Sequence, residues 1–398
     1  MALQTAVADP FLAEEHHQVR ETAAKFADEV VAPRAAALDR SGEFPHDTFR
    51  QMAELGFLGL PWPETYGGAG LDTRSYILAV EEISRACAST GISLAAHVSL
   101  GTGPIFYAGN EEQKRRFVPR LASGEILGAF GLTEPHAGSD ASATQTTAVR
   151  EGGHYRVNGT KIYITNGSVA GSVVITARTE KGAGAKGISA LIVEKGTPGF
   201  KVGKKEDKMG LRGSDTVELH FEDCRVPAEN LIGQEGVGFR EFMKTLDAGR
   251  IGIGAMSLGI ARAAYRAAVA YAKERQQFGR PIAEFQLVQE MLSDMRVRIE
   301  SARLLVYHAA WLKDHDRPFA IEAAMAKLHA SETAVFCADR SVQIHGGMGY
   351  MRELPVERYY RDAKLMEIGE GTSQIQKIVI ARDCLRQAGY QTKGMRHG

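Results

Sequence analysis

One acidic side chain near the end of the chain stands where a turn leads into a helix. Glu370 is flanked by Gly369 and Gly371, and a helical pattern follows it. Ser373 and Gln376 have the spacing of a capping box, which predicts that the helix begins there. The apolar positions of one helix face then follow at Ile375, Ile378 and Val379. An isolated carboxylate in such a turn is most often solvated and stabilised by the helix dipole, so its role depends on the rest of the sequence.

The sequence around Glu370 resembles that of an enzyme family. Residues 370–376 read Glu-Gly-Thr-Ser-Gln-Ile-Gln, and an earlier segment at 343–347 reads Gln-Ile-His-Gly-Gly. Together they resemble the C-terminal signature of the acyl-CoA dehydrogenases, and the resemblance covers nearly all of the chain. It implies that Glu370 is the base that removes the α-proton of a fatty acyl thioester.

That reaction places two demands on the protein. A carbon next to a thioester is weakly acidic, so a carboxylate can deprotonate it only where water is excluded and the enolate is stabilised. We therefore expect Glu370 in an apolar pocket, where desolvation raises the pKa of its carboxyl group. A hydride acceptor must face the adjacent carbon, and because no side chain accepts hydride, a cofactor is required.

One motif suggests the wrong cofactor. Gly182, Gly184 and Gly187 match the G-x-G-x-x-G pattern of nicotinamide sites, but Ile188 to Val193, which follow, have the pattern of a strand. The dinucleotide motif requires a helix N-terminus to hold the pyrophosphate. We therefore predict a flexible hairpin loop at the three glycines, and FAD as the hydride acceptor.

Two segments resemble the flavin-binding sequences of the family. Residues 130–140, Phe-Gly-Leu-Thr-Glu-Pro-His-Ala-Gly-Ser-Asp, resemble a Thr-Glu-Pro-x-Ala-Gly-Ser-Asp loop, and 163–167 resemble an aromatic-Ile-Thr-Asn-Gly strand. The resemblance implies that the Tyr163 ring lies beside the isoalloxazine and that Ser139 lies near the pantetheine or the FAD phosphates. Tyrosine replaces the family's frequent tryptophan at 163, and both rings are flat and amphipathic. The implied FAD-binding residues are Phe130, Leu132, Thr133, Ser139, Tyr163, Ile164 and Thr165.

A second group of FAD contacts is implied later in the chain. Residues 275–279 resemble an Arg-x-x-Phe-Gly motif whose arginine binds the FAD pyrophosphate of a neighbouring subunit, a role suited to a guanidinium. The resemblance thus predicts a homotetramer built as a dimer of dimers. His345 has no second metal ligand at helical spacing, so we expect it to be packed or phosphate-facing, with no metal bound. The implied residues are Arg275, Phe278, Gln286, Gln343, His345, Gly346, Gly347, Thr372 and Gln374.

Residues 246–250 resemble the segment that borders the substrate. In some relatives, including the isovaleryl type, this segment carries the base, but here that position is Gly249, which assigns the base to Glu370. The resemblance implies that Asp247 lies near the adenosine side of the thioester and that Arg250 keeps a positive charge in this segment. The thioester oxygen would be held by the Glu370 backbone amide and a flavin ribityl hydroxyl. The implied substrate-binding residues are Ser139, Asp247, Arg250 and Gly371.

Composition narrows the class of protein. The 48 basic and 48 acidic residues balance, which argues against a nucleic-acid surface or an anionic membrane as partner. The four cysteines lie far apart, which fits a reduced compartment and argues against disulfides or structural zinc. No signal-like start and no plain membrane span are found. We expect a bacterial cytoplasmic protein, or a mitochondrial matrix protein in processed form.

The pattern of the chain predicts a mostly helical protein with a central β domain. Gly152-Gly153 and Asn158-Gly159 are turn signals, and the β-branched runs around them predict a small antiparallel barrel or sandwich. The predicted parts are an N-terminal helical domain at 1–124, the β domain at 125–236 and a C-terminal four-helix bundle at 237–398. The predicted helices are Phe11 to Val31 closed by Pro33, Thr48 to Leu55, Ser75 to His97, Glu111 to Leu121, Phe239 to Arg275, Pro281 to Lys313, Pro318 to Gln343 and Ser373 to Gln387. The predicted strands are Tyr155 to Val157, Lys161 to Thr165, Val173 to Thr176, Ile188 to Val193 and Thr216 to Phe221.

The resemblance implies oxidation of a saturated acyl-CoA to the trans-2-enoyl-CoA, with electrons passed to an electron-transferring flavoprotein. Two alternatives remain open at this stage: an oxidase that reduces oxygen, and a non-catalytic acyl-CoA- or FAD-binding assembly protein of the same fold. Relatives that act on glutaryl-CoA have an arginine in the region of Ile92 to Leu100, where this chain offers only His97. A dicarboxylate substrate is therefore disfavoured, but the sequence does not select an acyl chain length.

Overall fold

The computed structural model describes residues 9–390, in which helices at both ends of the chain enclose a central sheet. Two π-helical segments, Ala27–Val31 and Ala96–Thr102, connect α-helices in the first part. The α-helices are α1 (Glu14–Phe26), α2 (Ala32–Ser41), α3 (His46–Glu54), α4 (Thr73–Ala86), α5 (Ala88–Ala95), α6 (Gly103–Ala108), α7 (Glu111–Ala122), α8 (Gly238–Glu274), α9 (Gln286–Asp314), α10 (Ala320–His345), α11 (Val356–Met366) and α12 (Ser373–Gln387). No helix in this range is long and apolar enough to cross a membrane.

The first helical stretch runs further than its proline suggested. Pro33 was expected to end a helix, but it lies in the first turn of α2, directly after the π-helical segment. A proline is tolerated there because the backbone N–H that it lacks has no helical partner in a first turn. The prediction of a break at Pro33 is therefore wrong, and the chain stays helical to Ser41.

The central sheet has eight strands, and a separate two-stranded ribbon connects α8 to α9. In the large sheet the order is β6-β7-β3-β2-β4-β5-β8, and β1 pairs with β4 off this path. Most pairs are antiparallel as predicted, but β1 and β2 each pair with β4 in parallel. The strands are β1 (Leu127–Gly131), β2 (Thr147–Glu151), β3 (His154–Thr165), β4 (Ala170–Arg178), β5 (Ile188–Glu194), β6 (Phe200–Lys205), β7 (Thr216–Pro227), β8 (Leu231–Ile232), β9 (Gln276–Gln277) and β10 (Arg280–Pro281).

The two predicted turns of the sheet have different outcomes. Gly152-Gly153 does connect β2 to β3 in an antiparallel hairpin. Asn158-Gly159 lies inside β3, where the register with β7 shifts between Val157 and Gly159. A Cβ at Gly159 would lie less than 3.0 Å from Thr146, so this glycine marks a β-bulge under a close neighbour and not a turn. The loop at Gly182 and Gly184 connects the antiparallel strands β4 and β5 as expected; it contains a short 3₁₀ helix, Gly184–Gly187, which leads directly into β5.

Alternate residues of β4 and β5 enter different cores. Val174 and Ile192 belong to the large core that joins the helices from both ends of the chain. Val173 and Leu191, one residue away, belong to the smaller core of the sheet itself. This alternation follows from the two-residue period of a strand, and it fixes the sheet against the helices. The division of the chain at residues 124 and 236 stays a prediction.

Helix α8 is the central element of the helical part, and it packs against α4, α9 and α10. Its small residues permit close approach: a Cβ at Gly259 would lie 2.9 Å from the backbone nitrogen of Arg85 in α4. A single helix of 37 residues thereby spans the molecule from the sheet to the far end of the bundle.

Buried charges connect α8 to its neighbours. Arg262 of α8 donates to Glu81 and, at 2.7 Å, to Glu82 of α4. The Tyr307 hydroxyl of α9 also donates to Glu81 at 2.7 Å, and Arg85 donates to Glu82 at 2.6 Å. Both carboxylates are almost fully buried, so their ionised forms depend on these donors.

Replacing Arg262 with alanine should therefore destabilise the protein strongly, by about 3–5 kcal/mol, because it leaves two buried carboxylates short of a cation. The midpoint of urea unfolding measures the loss. Lys201→Ala is the matched control, since it removes an exposed pair with Glu222 and should cost at most about 1 kcal/mol. Equal shifts in the two variants would contradict this account.

Candidate active site

The turn between α11 and α12 has an unusual backbone. Glu370 has a φ of +52° and Gly371 a φ of +93°, both in the left-handed region. For a glutamate this conformation is strained, and strained residues often lie at functional sites. α12 has the predicted bounds, but the N-cap is Thr372, whose hydroxyl accepts the N–H of Ile375 at 3.3 Å. The predicted capping box of Ser373 and Gln376 is wrong, because Ser373 already lies in the first turn.

The Glu370 carboxyl group is desolvated. Part of the residue remains accessible, but its Oε2 atom is buried and has no hydrogen-bond partner among residues 9–390. This burial raises the pKa of Glu370 to about 7, while the positive charges of Lys327 and Arg250 act in the opposite direction. The raised pKa expected from the sequence is thus confirmed. A carboxyl group with this pKa is half ionised near neutrality and can accept a proton.

The carboxylate lies against a glycine of α8. A Cβ at Gly249 would come less than 3.0 Å from Oε2 of Glu370, a distance that real Cβ atoms essentially never show. Leu100, which lies in the π-helical segment 96–102, would be 3.1 Å from the same Cβ. Gly249, Leu100 and the carboxylate therefore meet at one point, where an apolar side chain and a bare backbone surround the acid.

A tyrosine lies one turn further along the same helix. A Cβ at Gly252 would lie 2.8 Å from the hydroxyl of Tyr76 of α4, so this hydroxyl occupies the surface of α8 next to Gly249. Residues three apart in a helix are neighbours on one face. Burial raises the pKa of Tyr76, so the phenol is neutral. A neutral phenol hydroxyl therefore lies on α8 close to the residue that contacts the Glu370 carboxylate.

His97, the one candidate for binding a second carboxylate in this region, is not available. Its Nδ1 accepts the N–H of Gly128 at 3.0 Å and its Nε2 contacts the Leu121 carbonyl oxygen at 3.1 Å. Burial lowers the pKa of this wholly buried ring to about 4, so it is neutral. His97 is therefore not free to pair with a second carboxylate, and the expectation against a dicarboxylate substrate stays a prediction.

The two segments predicted to bind the flavin are joined by a buried ion pair that sequence reasoning missed. Lys161 of β3 donates to Glu134 at 2.7 Å and to the Leu132 carbonyl at 3.2 Å. The Ile162 N–H donates to the Thr133 carbonyl at 2.9 Å. The loop with Leu132 and Thr133 thus lies directly beside the strand that ends in Tyr163 and Thr165, and Ile164 between those two is buried.

The same segments are close to the Glu370 turn through α8. Phe130 of β1 stacks on Phe242 of α8 with ring centroids 4.2 Å apart. Phe242 and Gly249 are separated by about two turns, or about 10 Å along the helix, and lie on the same face. The sequence-predicted residues 130–133 and 163–165 therefore flank one side of the site, and Glu370 lies on the other.

These residues fit a flavin. Tyr163 has a φ of +60°, and 63% of its side chain is exposed, so a large flat ring is held open beside the Thr133 loop. Such a ring is suited to contact another planar group. Ser139 and Gly138, in the same loop as Thr133, are also exposed, and a Cβ at Gly138 would meet nothing within 4 Å. The end of β3 and the loop that contains Thr133 thus offer an aromatic face, hydroxyl groups and a bare backbone.

The second group of predicted FAD residues lies elsewhere within this chain. Arg275 and Phe278 follow the C-terminal end of α8, about 39 Å along that helix from Gly249, and Phe278 is 93% exposed. His345 stacks on Tyr271 near the same end and is buried, while Gly346 and Gly347 have open space where a Cβ would be. Gln286 and Gln343 are exposed there too. Within one chain these residues do not reach Glu370, which is the arrangement expected if they serve a neighbouring subunit.

The remaining predicted residues lie beside the turn. Arg250 donates to Asp247 at 2.5 Å, and burial raises the pKa of Asp247 against the effect of Arg250. Gly371 accepts a hydrogen bond from Lys327, whereas Gln374 is exposed on the first turn of α12. No group of three or more possible metal ligands occurs in the part of the chain that the structure describes. Lys327 and Tyr76 were not identified from the sequence, because both act through residues far away in the chain.

Comparisons with known proteins agree over nearly the whole chain. Family models match the N-terminal domain of acyl-CoA dehydrogenases at residues 13–125, the middle domain at 129–224 and the C-terminal domain at 236–385. The short-chain-specific acyl-CoA dehydrogenase of Clostridium acetobutylicum is 52% identical over 94% of this chain and 99% of its own length.

Two solved structures are also very similar. Butyryl-CoA dehydrogenase from Megasphaera elsdenii has a TM-score of 0.93 and 46% identity, covering 94% of this chain and 99% of its own. A chain from a structure described as the electron transferring flavoprotein of Acidaminococcus fermentans has a TM-score of 0.94 and 52% identity, covering 95% of this chain and 100% of its own.

The contact between Gly249 and Glu370 can be tested directly. Gly249→Ala should force the Glu370 carboxylate away from α8 by about 1 Å, because the new Cβ and Oε2 of Glu370 must be separated by at least a van der Waals contact distance. Crystal structures of the variant and of Gly103→Ala provide the measurement. Gly103 is also in a helix, but the nearest atom to a Cβ there would be 3.8 Å away, so Glu370 should not move. If the Glu370 carboxylate did not move in the Gly249→Ala variant, the inferred steric conflict between a side chain at position 249 and Glu370 would be wrong.

Proposed function

This chain belongs to the acyl-CoA dehydrogenase family, and we propose that Glu370 is the base with which it removes the α-proton of a short-chain acyl-CoA. The enzyme uses FAD to oxidise a saturated acyl-CoA to the trans-2-enoyl-CoA and passes the electrons to an electron-transferring flavoprotein. One observation carries the proposal for the base: a buried carboxylate oxygen without a partner, held against a glycine.

The surroundings of Glu370 suit proton abstraction from carbon. Leu100 and the backbone at Gly249 enclose Oε2 of the carboxylate, so the basicity of this oxygen is not reduced by hydrogen bonds from solvent. The pKa of about 7 leaves much of the group ionised at neutral pH, while the acid form remains accessible after the proton is taken. The α-proton of the thioester passes to this carboxylate, and the glutamic acid then holds it until the product leaves.

FAD supplies the acceptor for the β-hydride when it is bound. We propose that Leu132, Thr133, Tyr163 and Thr165 hold its flavin part, because the Lys161–Glu134 pair fixes their two segments side by side. Arg275, Phe278 and the glycines after α10 are assigned to the FAD of a neighbouring subunit. The enzyme forms a homotetramer, as is typical of the family, and we propose that it is a dimer of dimers with cofactor sites shared across the interface.

A short acyl chain is supported by the position of Tyr76. Its hydroxyl and the Glu370 carboxylate lie over neighbouring positions of α8, at Gly252 and Gly249. An acyl chain whose α-carbon meets the carboxylate has about one helical turn, roughly 5 Å, before it reaches the phenol. That space holds a few carbons, in keeping with the short-chain-specific relative and the butyryl-CoA dehydrogenase. The bacterial relatives support a location in the bacterial cytoplasm, with the mitochondrial matrix as the alternative.

Glu370→Gln should abolish proton abstraction while it keeps the shape of the side chain. We expect the rate of flavin bleaching by butyryl-CoA under anaerobic conditions to fall by about 10²- to 10⁴-fold. Glu367→Gln is the matched control, because Glu367 lies in the same turn but pairs with the half-exposed Lys364. Unchanged bleaching in Glu370→Gln would sink the assignment and would favour a non-catalytic binding protein.

Tyr76→Ala should extend the range of acyl chains. Removing the phenol opens space beyond the carboxylate, so kcat/KM for octanoyl-CoA should rise about tenfold or more relative to butyryl-CoA. A panel of acyl-CoAs with an artificial electron acceptor provides the measurement. Tyr66→Ala, which removes a tyrosine whose hydroxyl bonds Glu111 on the exposed side, should leave the ratio unchanged. The same ratio in a folded Tyr76→Ala variant would show that another residue limits chain length.

A further inference from the structure

A buried lysine stands behind the turn that carries Glu370. Lys327 of α10 is fully buried, and its Nζ donates to the Gly371 carbonyl at 2.7 Å. No carboxylate within residues 9–390 lies within 4.0 Å of this ammonium group, so the carbonyl dipole is its short-range acceptor. A buried lysine without a carboxylate in contact is uncommon, because its charge is costly to desolvate. Within residues 9–390, this buried charge therefore has its short-range contact with the turn that carries Glu370.

The turn is also held from the side of α12. The amide group of Gln376, itself fully buried, donates to the carbonyls of Glu370 at 3.3 Å and Gly371 at 3.1 Å. Lys327 and Gln376 thus bind two successive carbonyls of a segment with two successive left-handed residues. A backbone in this conformation persists only where its surroundings determine it. The hydrogen bonds from Lys327 and Gln376 therefore hold the turn in this conformation.

Lys327 is also the cation near Glu370 that is least compensated. Arg250 of α8, the other positive group that acts on Glu370, has its charge offset by Asp247 at 2.5 Å. Glu367, which acts on Lys327 from the end of α11, is paired with Lys364 at 2.5 Å. Tyr76 of α4 is neutral, and Leu100 is apolar. The net positive charge that faces the carboxylate therefore comes mainly from α10.

We propose that Lys327 is a positioning residue for the reaction: by donating to the Gly371 carbonyl it holds the turn so that the Glu370 carboxylate faces Gly249, and its charge favours the ionised base. The inference rests on the proposed role of Glu370. Burial lowers the pKa of Lys327 to about 8, and burial raises that of Glu370 to about 7. Both groups are therefore charged between about pH 7 and pH 8.

The sign of the pH effect follows from these charges. Glu370 must be ionised to accept a proton, so the rate rises with pH through the pKa of its carboxyl group. The positive charge of Lys327 partly offsets the effect of burial on the pKa of Glu370. Removing that charge should therefore raise the pKa of Glu370 further. In Lys327→Met the ascending limb of kcat/KM for butyryl-CoA should therefore move upward by about one pH unit. The rate below pH 7 should fall about tenfold, with a smaller loss above pH 9.

Four variants make the test decisive. Lys377→Met removes an exposed lysine of α12 that pairs with Glu332, and its pH profile should match the wild type. Lys327→Arg keeps the charge and the donor, and it should restore the wild-type midpoint even if its rate is lower. A folded, FAD-containing Lys327→Met protein with a wild-type pH profile would overturn the inference. Lys327→Gln serves as a second neutral variant, and failure of both neutral variants to fold while Lys327→Arg folds would show a purely structural role and overturn it too.

The outcome can be separated from that of the proposed function. Glu370→Gln is measured in the same bleaching assay. If it remains active, the assignment of the base fails regardless of Lys327. If it is inactive and Lys327→Met keeps the wild-type midpoint, only the role of Lys327 fails.

Discussion

A carboxylate oxygen that is buried without a hydrogen-bond partner among residues 9–390 is the constraint on which this site depends. Such a group is costly to ionise, and the protein reduces that cost with charges at a distance, from Lys327 and Arg250, and not with direct donors to Oε2. Direct donors would stabilise the anion and weaken the base. The arrangement leaves the acid reactive near neutral pH, and every neighbour must then be apolar, small or positive.

Helix α8 meets most of these demands from one face. Phe242 stacks on Phe130 of β1. The Glu370 carboxylate lies against Gly249, and the Tyr76 hydroxyl lies against Gly252. Further along, Arg262 fixes the helix to α4 through buried carboxylates. A long helix is stiff, so these contacts are set at fixed distances from one another. Its length also explains why Arg275 lies far from the turn in the same chain, at the end where another subunit can approach.

Several of these features could be predicted from the sequence, and the failures have physical causes. α12 was predicted with its exact bounds because its apolar period begins after the glycine turn and stops before Gly389. β1 was missed because Gly128 and Ala129 have little strand propensity, and that strand is set by tertiary packing, with Gly128 and Gly101 in close backbone contact.

In the site itself, local motifs led to the prediction of Glu370, Thr133 and Tyr163, since each belongs to a short continuous segment. Tyr76 and Lys327 belong to helices whose partners lie far away in sequence, and no periodic pattern distinguishes them from ordinary core residues. Lys161 was similarly hidden, because its ion pair with Glu134 forms only when the loop folds back on β3. Residues within continuous motifs could therefore be proposed from the sequence, whereas the residues that position them, such as Lys327 and Lys161, could not.

The shared space at Gly249 has an evolutionary consequence. The family resemblance implies that some relatives carry the base at the helix position that is Gly249 here, and a side chain at this position cannot coexist with the Glu370 carboxylate in its present place. A lineage that relocates its base from one position to the other must pass through an ancestor with two crowded acids or with none. Both intermediates are impaired, so the choice between the two locations should be inherited conservatively and change only through paired substitutions.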